Sequence, residues 1–114
     1  MSESIPTRDG ERVAETPEGD LVAVSCARTV HGAVVHYHAT ARAIEADGRQ
    51  RVDSAGTPII RELRHQARGA AQVEAITADC ERAVLGEPPQ LVMWGEDLLA
   101  DVSIREAIAL ADVV

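Results

Sequence analysis

Two runs of strand-forming residues flank the dipeptide His31-Gly32, and this pattern limits the fold more than any other in the chain. The first, Leu21 to Arg28, reads Leu-Val-Ala-Val-Ser-Cys-Ala-Arg; the second, Ala33 to Glu45, carries Val, Tyr and Thr suited to a pleated surface. His31-Gly32 resembles the Asn-Gly dipeptide of two-residue hairpin turns, which need positive φ at both central positions. A turn there predicts Val30 opposite Ala33, Arg28 opposite Val35, Cys26 opposite Tyr37, Val24 opposite Ala39 and Val22 opposite Ala41. One face then carries Val22, Val24, Cys26, Val35, Tyr37, Ala39 and Ala41, and the other Ser25, Thr29, His36, His38, Thr40 and Arg42, with Ala23, Ala27 and Val34 among them. A one-residue slip would exchange the faces, so their coherence fixes which side is core.

A second turn at Asp47-Gly48 is expected to pair Ala43 with Val52 and Arg42 with Asp53, completing a three-stranded antiparallel meander over 21–54. Thr57 as N-cap and Pro58 at the first helical position then open a long helix. Its apolar stripe, Ile59, Leu63, Ala67, Ala70, Val73, Ile76, Cys80 and Val84, steps by threes and fours. Gly86 and Pro88-Pro89 stop it. Leu91 to Trp94 is expected as a short fourth strand, and Ser103 with Glu106 matches a capping box ahead of a C-terminal helix over 104–112. Residues 1–19 show no periodicity and read as a flexible acidic tail, leaving 20–114 as one domain. The order βββ-α-β-α defines an α+β two-layer sandwich.

At 114 residues, a chain of this kind is a single domain that can bury a core without staples. That core is aliphatic, because there is no Phe, one Tyr and one Trp. Base stacking, the usual means of holding single strands, is therefore hardly on offer. Nineteen acidic against eleven basic residues give a net charge of −8, which repels phosphate backbones and anionic lipid. Nucleic acid and membranes are thus not expected as partners. All basic side chains are Arg, so lysine-based Schiff-base or general-base chemistry is excluded. This acidic, Ala-rich, lysine-free composition is of a kind common in GC-rich genomes and in halophiles. Two widely spaced cysteines, no apolar leader-like run and no span-length apolar stretch lead us to expect a cytoplasmic protein with reduced thiols.

Cys26, His31, His36 and His38 are the densest group of metal-binding residue types. The hairpin register divides them, sending Cys26 to the apolar face and His36 and His38 to the other. His31 lies five residues from His36, about 16 Å along an extended strand, too far to share an ion. His36 and His38 remain as the metal-site candidates. Zinc takes three or four protein ligands, so another subunit would have to supply a third, His65 being expected on a helix beyond the sheet. Cys26 and Cys80 read as small buried hydrophobes rather than nucleophiles, facing one core in which an adventitious disulfide can form on purification. Arg61, Arg64 and Arg68 read as a solvated helix face, and Glu87, Glu96, Asp97 and Asp101 around Trp94 as a solvated acidic edge.

No phosphate-cradling Gly-rich loop, nucleophile elbow or His-Glu-x-x-His helix occurs. The sequence therefore points to a non-catalytic interaction or regulatory module without a cofactor. It would bind a protein partner or itself, as a homo-oligomer formed through its sheet. The alternative is a metal-binding protein using His36 and His38.

Overall fold

In the computed structural model, which describes residues 5, 7–69, 71–88, 90 and 103–111, the alternating residues of 21–44 form a long hairpin. Its arms are β2 (Leu21–His31) and β3 (Val34–Ile44), antiparallel along their whole length. A short strand, β1 (Arg12–Glu15), lies beside β2, and β4 (Ile60–Arg68) lies beside β3, giving a four-stranded sheet in the order β1-β2-β3-β4. Among the described residues two helices, α1 (Val73–Leu85) and α2 (Ile104–Ala111), follow and pack on one face of it. The protein is of the α+β class, strands first and helices after, as the sequence indicates.

The hairpin turns at Gly32-Ala33, one residue later than expected, with His31 opposite Val34. Gly32 has φ +60° and Ala33 does not have positive φ, the pattern of a turn with glycine at its first central position. His31 is thereby freed from a strained backbone and becomes the last residue of β2. The register moves by two residues: Cys26 faces Ala39, Val24 faces Ala41 and Val22 faces Ala43. A shift of two preserves the faces, since side chains alternate with period two. Val22, Val24, Val35, Tyr37, Ala39, Ala41 and Ala43 are all buried beneath the helices.

The expected helix from Pro58 is corrected over its first half, where residues 60–68 form β4. Ile59, Leu63 and Ala67 are spaced by four, and four residues return to the same side in a helix and in a strand alike. The polar residues between them decide. Glu62, Arg64, Gln66 and Arg68 are exposed, while Leu63 is buried and His65 and Ala67 are half-buried, an alternation of period two. Pairing with β3 over Val34–Arg42 overrides the helix propensity of this segment. Gly69, at φ +83°, ends the strand, and α1 begins at Val73 without a side-chain cap. From there the expected stripe holds, with Ile76, Cys80 and Val84 buried. Gly86, at φ +92°, ends α1: its N–H donates to the Ala83 carbonyl, and the Glu87 N–H to that of Arg82.

The expected third strand of the meander is reduced to two isolated bridges, Ile44 with Gln50 and Val52 with Pro58. Arg42 does not meet Asp53, whose carboxylate instead accepts the N–H groups of Ala55 and Thr57 in a local turn. Arg42 turns to Glu11, in a bidentate contact of 2.7 and 2.8 Å with both side chains buried. This ion pair bears on the other correction. Residues 12–15, expected in a flexible tail, are β1, paired through Val13 with Ala23 and Ala14 with Val22. Four residues are too few to show a periodicity, and β1 is held from outside itself. The Glu11–Arg42 pair anchors its start, and the Thr16 hydroxyl accepts the Asp20 N–H in the turn to β2.

Ser103 caps α2 as expected, its hydroxyl accepting the Glu106 N–H, with Ile104 and Ile108 buried. Arg105 ties this helix to Glu18 in the β1–β2 turn by contacts of 2.6 and 2.9 Å. The strand expected at Leu91 to Trp94 lies outside the described residues, as do Glu96, Asp97 and Asp101.

Candidate functional site

The helices cover the sheet face that carries the odd-numbered residues of β3. On the opposite face, near the hairpin turn, the side chains form an open hollow of about 460 Å³. Thr29 and His31 come to it from β2, His36 and His38 from β3, and Arg64 and Gln66 from β4. Register explains the grouping, since Thr29, His36 and Gln66 stand in one row across the strands and Ala27, His38 and Arg64 in the next.

His36 and His38 share this face, as the sequence indicates, but each has a different neighbour. The rings of His31 and His36 meet edge to face, with centroids 5.2 Å apart. The 16 Å estimate fails because the chain reverses between them and brings His31 back beside His36. His38 Nε2 lies 2.9 Å from the Glu62 carboxylate on β4. Among the described residues, no three His, Cys, Asp or Glu side chains converge as metal ligands.

His65 lies on the helix side of β4 beside Tyr37, ring centroids 6.1 Å apart, so it does not join the outer histidines. Burial lowers its pKa from 6.5, favouring the neutral ring. Burial likewise raises that of Tyr37, whose hydroxyl has no hydrogen-bond partner among the described residues. Cys26 and Cys80 face the helix–sheet core, Cys80 fully buried and Cys26 partly exposed.

The feature that sequence reasoning missed is the outer edge of β4, beside which no strand pairs among the described residues. Within the strand pairing, the carbonyl of Ile59 and the N–H of Gly69 reach β3, so odd-numbered residues turn their backbone groups inward. The N–H and C=O groups of Ile60, Glu62, Arg64, Gln66 and Arg68 therefore point along the open edge. The Ile60 carbonyl accordingly accepts a hydrogen bond from the side chain of Arg61. Among the described residues, Arg61, Arg64 and Arg68 have no carboxylate partner, whereas Arg12, Arg28, Arg42, Arg49, Arg51, Arg82 and Arg105 all do. The period-two alternation of 60–68 was the available signal for an edge strand, hidden by the shared spacing of four.

The chain matches no family model, no curated protein and no solved structure. Among the described residues, no helix is long and apolar enough to cross a membrane. The arrangement is that of an antiparallel sheet with helices on one face and, among the described residues, an unpaired basic edge on an acidic protein.

Proposed function

We propose that this protein is a non-catalytic interaction module whose working surface is the free edge of β4, which takes up an extended acidic segment of a protein partner. The observation that carries this reading is a nine-residue strand edge that, among the described residues, is unpaired and bears three arginines without carboxylate partners, in a chain of net charge −8. Strand addition supplies main-chain hydrogen bonds from the outward N–H and C=O groups, and alternate side chains supply selectivity. Arg64 and Arg68 stand on the outer face, so an acidic residue at alternate positions of the incoming strand meets them directly. Each such cross-strand pair is worth roughly 0.2–1 kcal/mol, so the charge selects the partner more than it tightens the complex.

Self-association through the sheet is a special case of this reading. Two β4 edges meeting antiparallel about a two-fold axis set Arg64 against Arg64 or Arg68 of the other copy when centred on Arg64 or Gln66, which like charges destabilise, and against Glu62 of the other copy when centred on Leu63, which opposite charges favour.

The test uses a fluorescent peptide alternating Glu with Val and a control alternating Lys with Val. We expect saturable binding of the Glu peptide that weakens with salt and is lost in an Arg64→Glu, Arg68→Glu double variant. Gln66→Pro removes one outward N–H while sparing the pairing with β3, and it should weaken binding as well. Equal binding of the two peptides, or unchanged binding by the double variant, would contradict the reading.

A further inference from the structure

Across the seam between β2 and α1, two cysteines from distant parts of the chain come together. Cys26 faces inward from β2, and Cys80 faces it from the buried stripe of α1, in the same core cluster. Ala39, opposite Cys26 on β3, and Ala41 and Ala83 are all buried, and small residues let a helix lie close to a sheet. Both thiols are free, and the ion pairs Arg28–Glu74 at 3.0 Å and Arg12–Glu81 at 3.4 Å hold α1 to β2 and to β1 on either side of them.

Their exposures differ in a way that suits sequential chemistry. Cys80 is completely buried, while Cys26 remains partly exposed. The register gives the reason: β1 pairs with β2 only as far as Val24, so among the described residues no strand covers the edge of β2 beside Cys26. The surroundings divide the roles further. The hydrogen bond from Cys80 lowers the pKa of Cys26, helped by Arg28 and opposed by burial and by Glu81. The same contact raises that of Cys80, together with burial and the charges of Asp79 and Glu81. A partly exposed thiol whose pKa is lowered, beside a buried second thiol on a facing element, is the arrangement of a peroxide-sensitive pair.

We propose that Cys26 and Cys80 form a reversible intramolecular disulfide on exposure to a hydroperoxide, covalently joining β2 to α1. The Cys26 thiolate attacks the peroxide oxygen, cleaving the O–O bond and becoming a sulfenic acid, and the peroxide's other oxygen leaves as hydroxide or alkoxide. Cys80 sulfur then displaces the sulfenic hydroxyl, which departs as water with the proton that Cys80 gives up. Two thiols are oxidised by two electrons in all, and one hydroperoxide is reduced.

The test is hydrogen peroxide treatment of the full chain, followed by alkylation under denaturing conditions and intact mass. The expected result is a loss of about 2 Da, no alkylation of either cysteine, and a crosslinked peptide joining Cys26 to Cys80 that reductant reverses. Cys80→Ala should trap Cys26 as a sulfenic acid captured by dimedone, with sulfinic acid accumulating afterwards. In Cys26→Ser, Cys80 should remain alkylatable after the same treatment. Wild-type protein that keeps both thiols alkylatable, crosslinks only between chains, or carries Cys26 on to sulfinic acid as readily as Cys80→Ala would overturn the proposal.

Discussion

At the end of the sheet where β1 lies, both faces are covered. Val22, Ala41 and Ala43 are buried under the helices, and on the other face Ala23, Arg42 and Ile44 are only 1%, 5% and 2% exposed. At the hairpin end, the same two central strands leave Val30 69% exposed and His36 in the open. The closed end is held by a buried bidentate ion pair and by Gln50, whose amide donates to the carbonyls of Ala43, Arg51 and Ile59. The open end has an exposed histidine–glutamate contact, and Arg64 and Arg68 there have no carboxylate partner among the described residues. Stability is therefore concentrated at one end of the sheet, and surface available to a partner at the other.

The sharpest way to break this contrast is Glu11→Ala, which strands the buried Arg42 guanidinium. Losing one member of a buried pair costs about 3–5 kcal/mol, read as a lower urea midpoint. Replacing the pair by apolar residues, Glu11→Leu with Arg42→Met, should recover much of that loss. Gln50→Ala comes next, at about 1–3 kcal/mol, because buried carbonyls lose their donor. At the open end, His38→Ala should cost less than about 1 kcal/mol, since the contact with Glu62 is solvent-exposed.

Acid should act on the closed end and the core in two stages. His65 is held neutral by burial, its pKa lowered from 6.5, so the unfolded chain takes up a proton near that pH and the folded chain does not. Its contribution is present above pH 6.5 and declines below it. Arg42 lowers the pKa of Glu11 from 4.5, so that contribution is present above pH 4.5 and is lost as pH falls through the lowered value. Urea midpoints measured against pH should show both declines, the first reduced in His65→Leu and the second in Glu11→Gln.

How far these features can be read in the sequence depends on what fixes each one. The two faces of the hairpin are legible because alternation fixes parity, and an error of two residues at the turn leaves parity unchanged. The Ser103 cap and the stop at Gly86 are legible because both are local chemistry. β4 is not, since a spacing of four between Ile59, Leu63 and Ala67 serves a helix and a strand equally. β1 is illegible for a different reason: it depends on Val22, Ala23 and Arg42, far along the chain. Of the outer face, His36 and His38 can be read from the strand pattern. The meeting of His31 with His36 needs the hairpin closed in three dimensions, and the arginine edge needs β4 recognised as a strand.

Amide hydrogen exchange with and without the Glu–Val peptide tests the central claim most directly, because strand addition has a signature at single residues. Binding at the β4 edge should slow exchange at the outward amides of Glu62, Arg64 and Gln66, while Leu63 and His65, already bonded to β3, change little. Protection absent from these three amides at saturating peptide, or confined to the helices, would contradict the account.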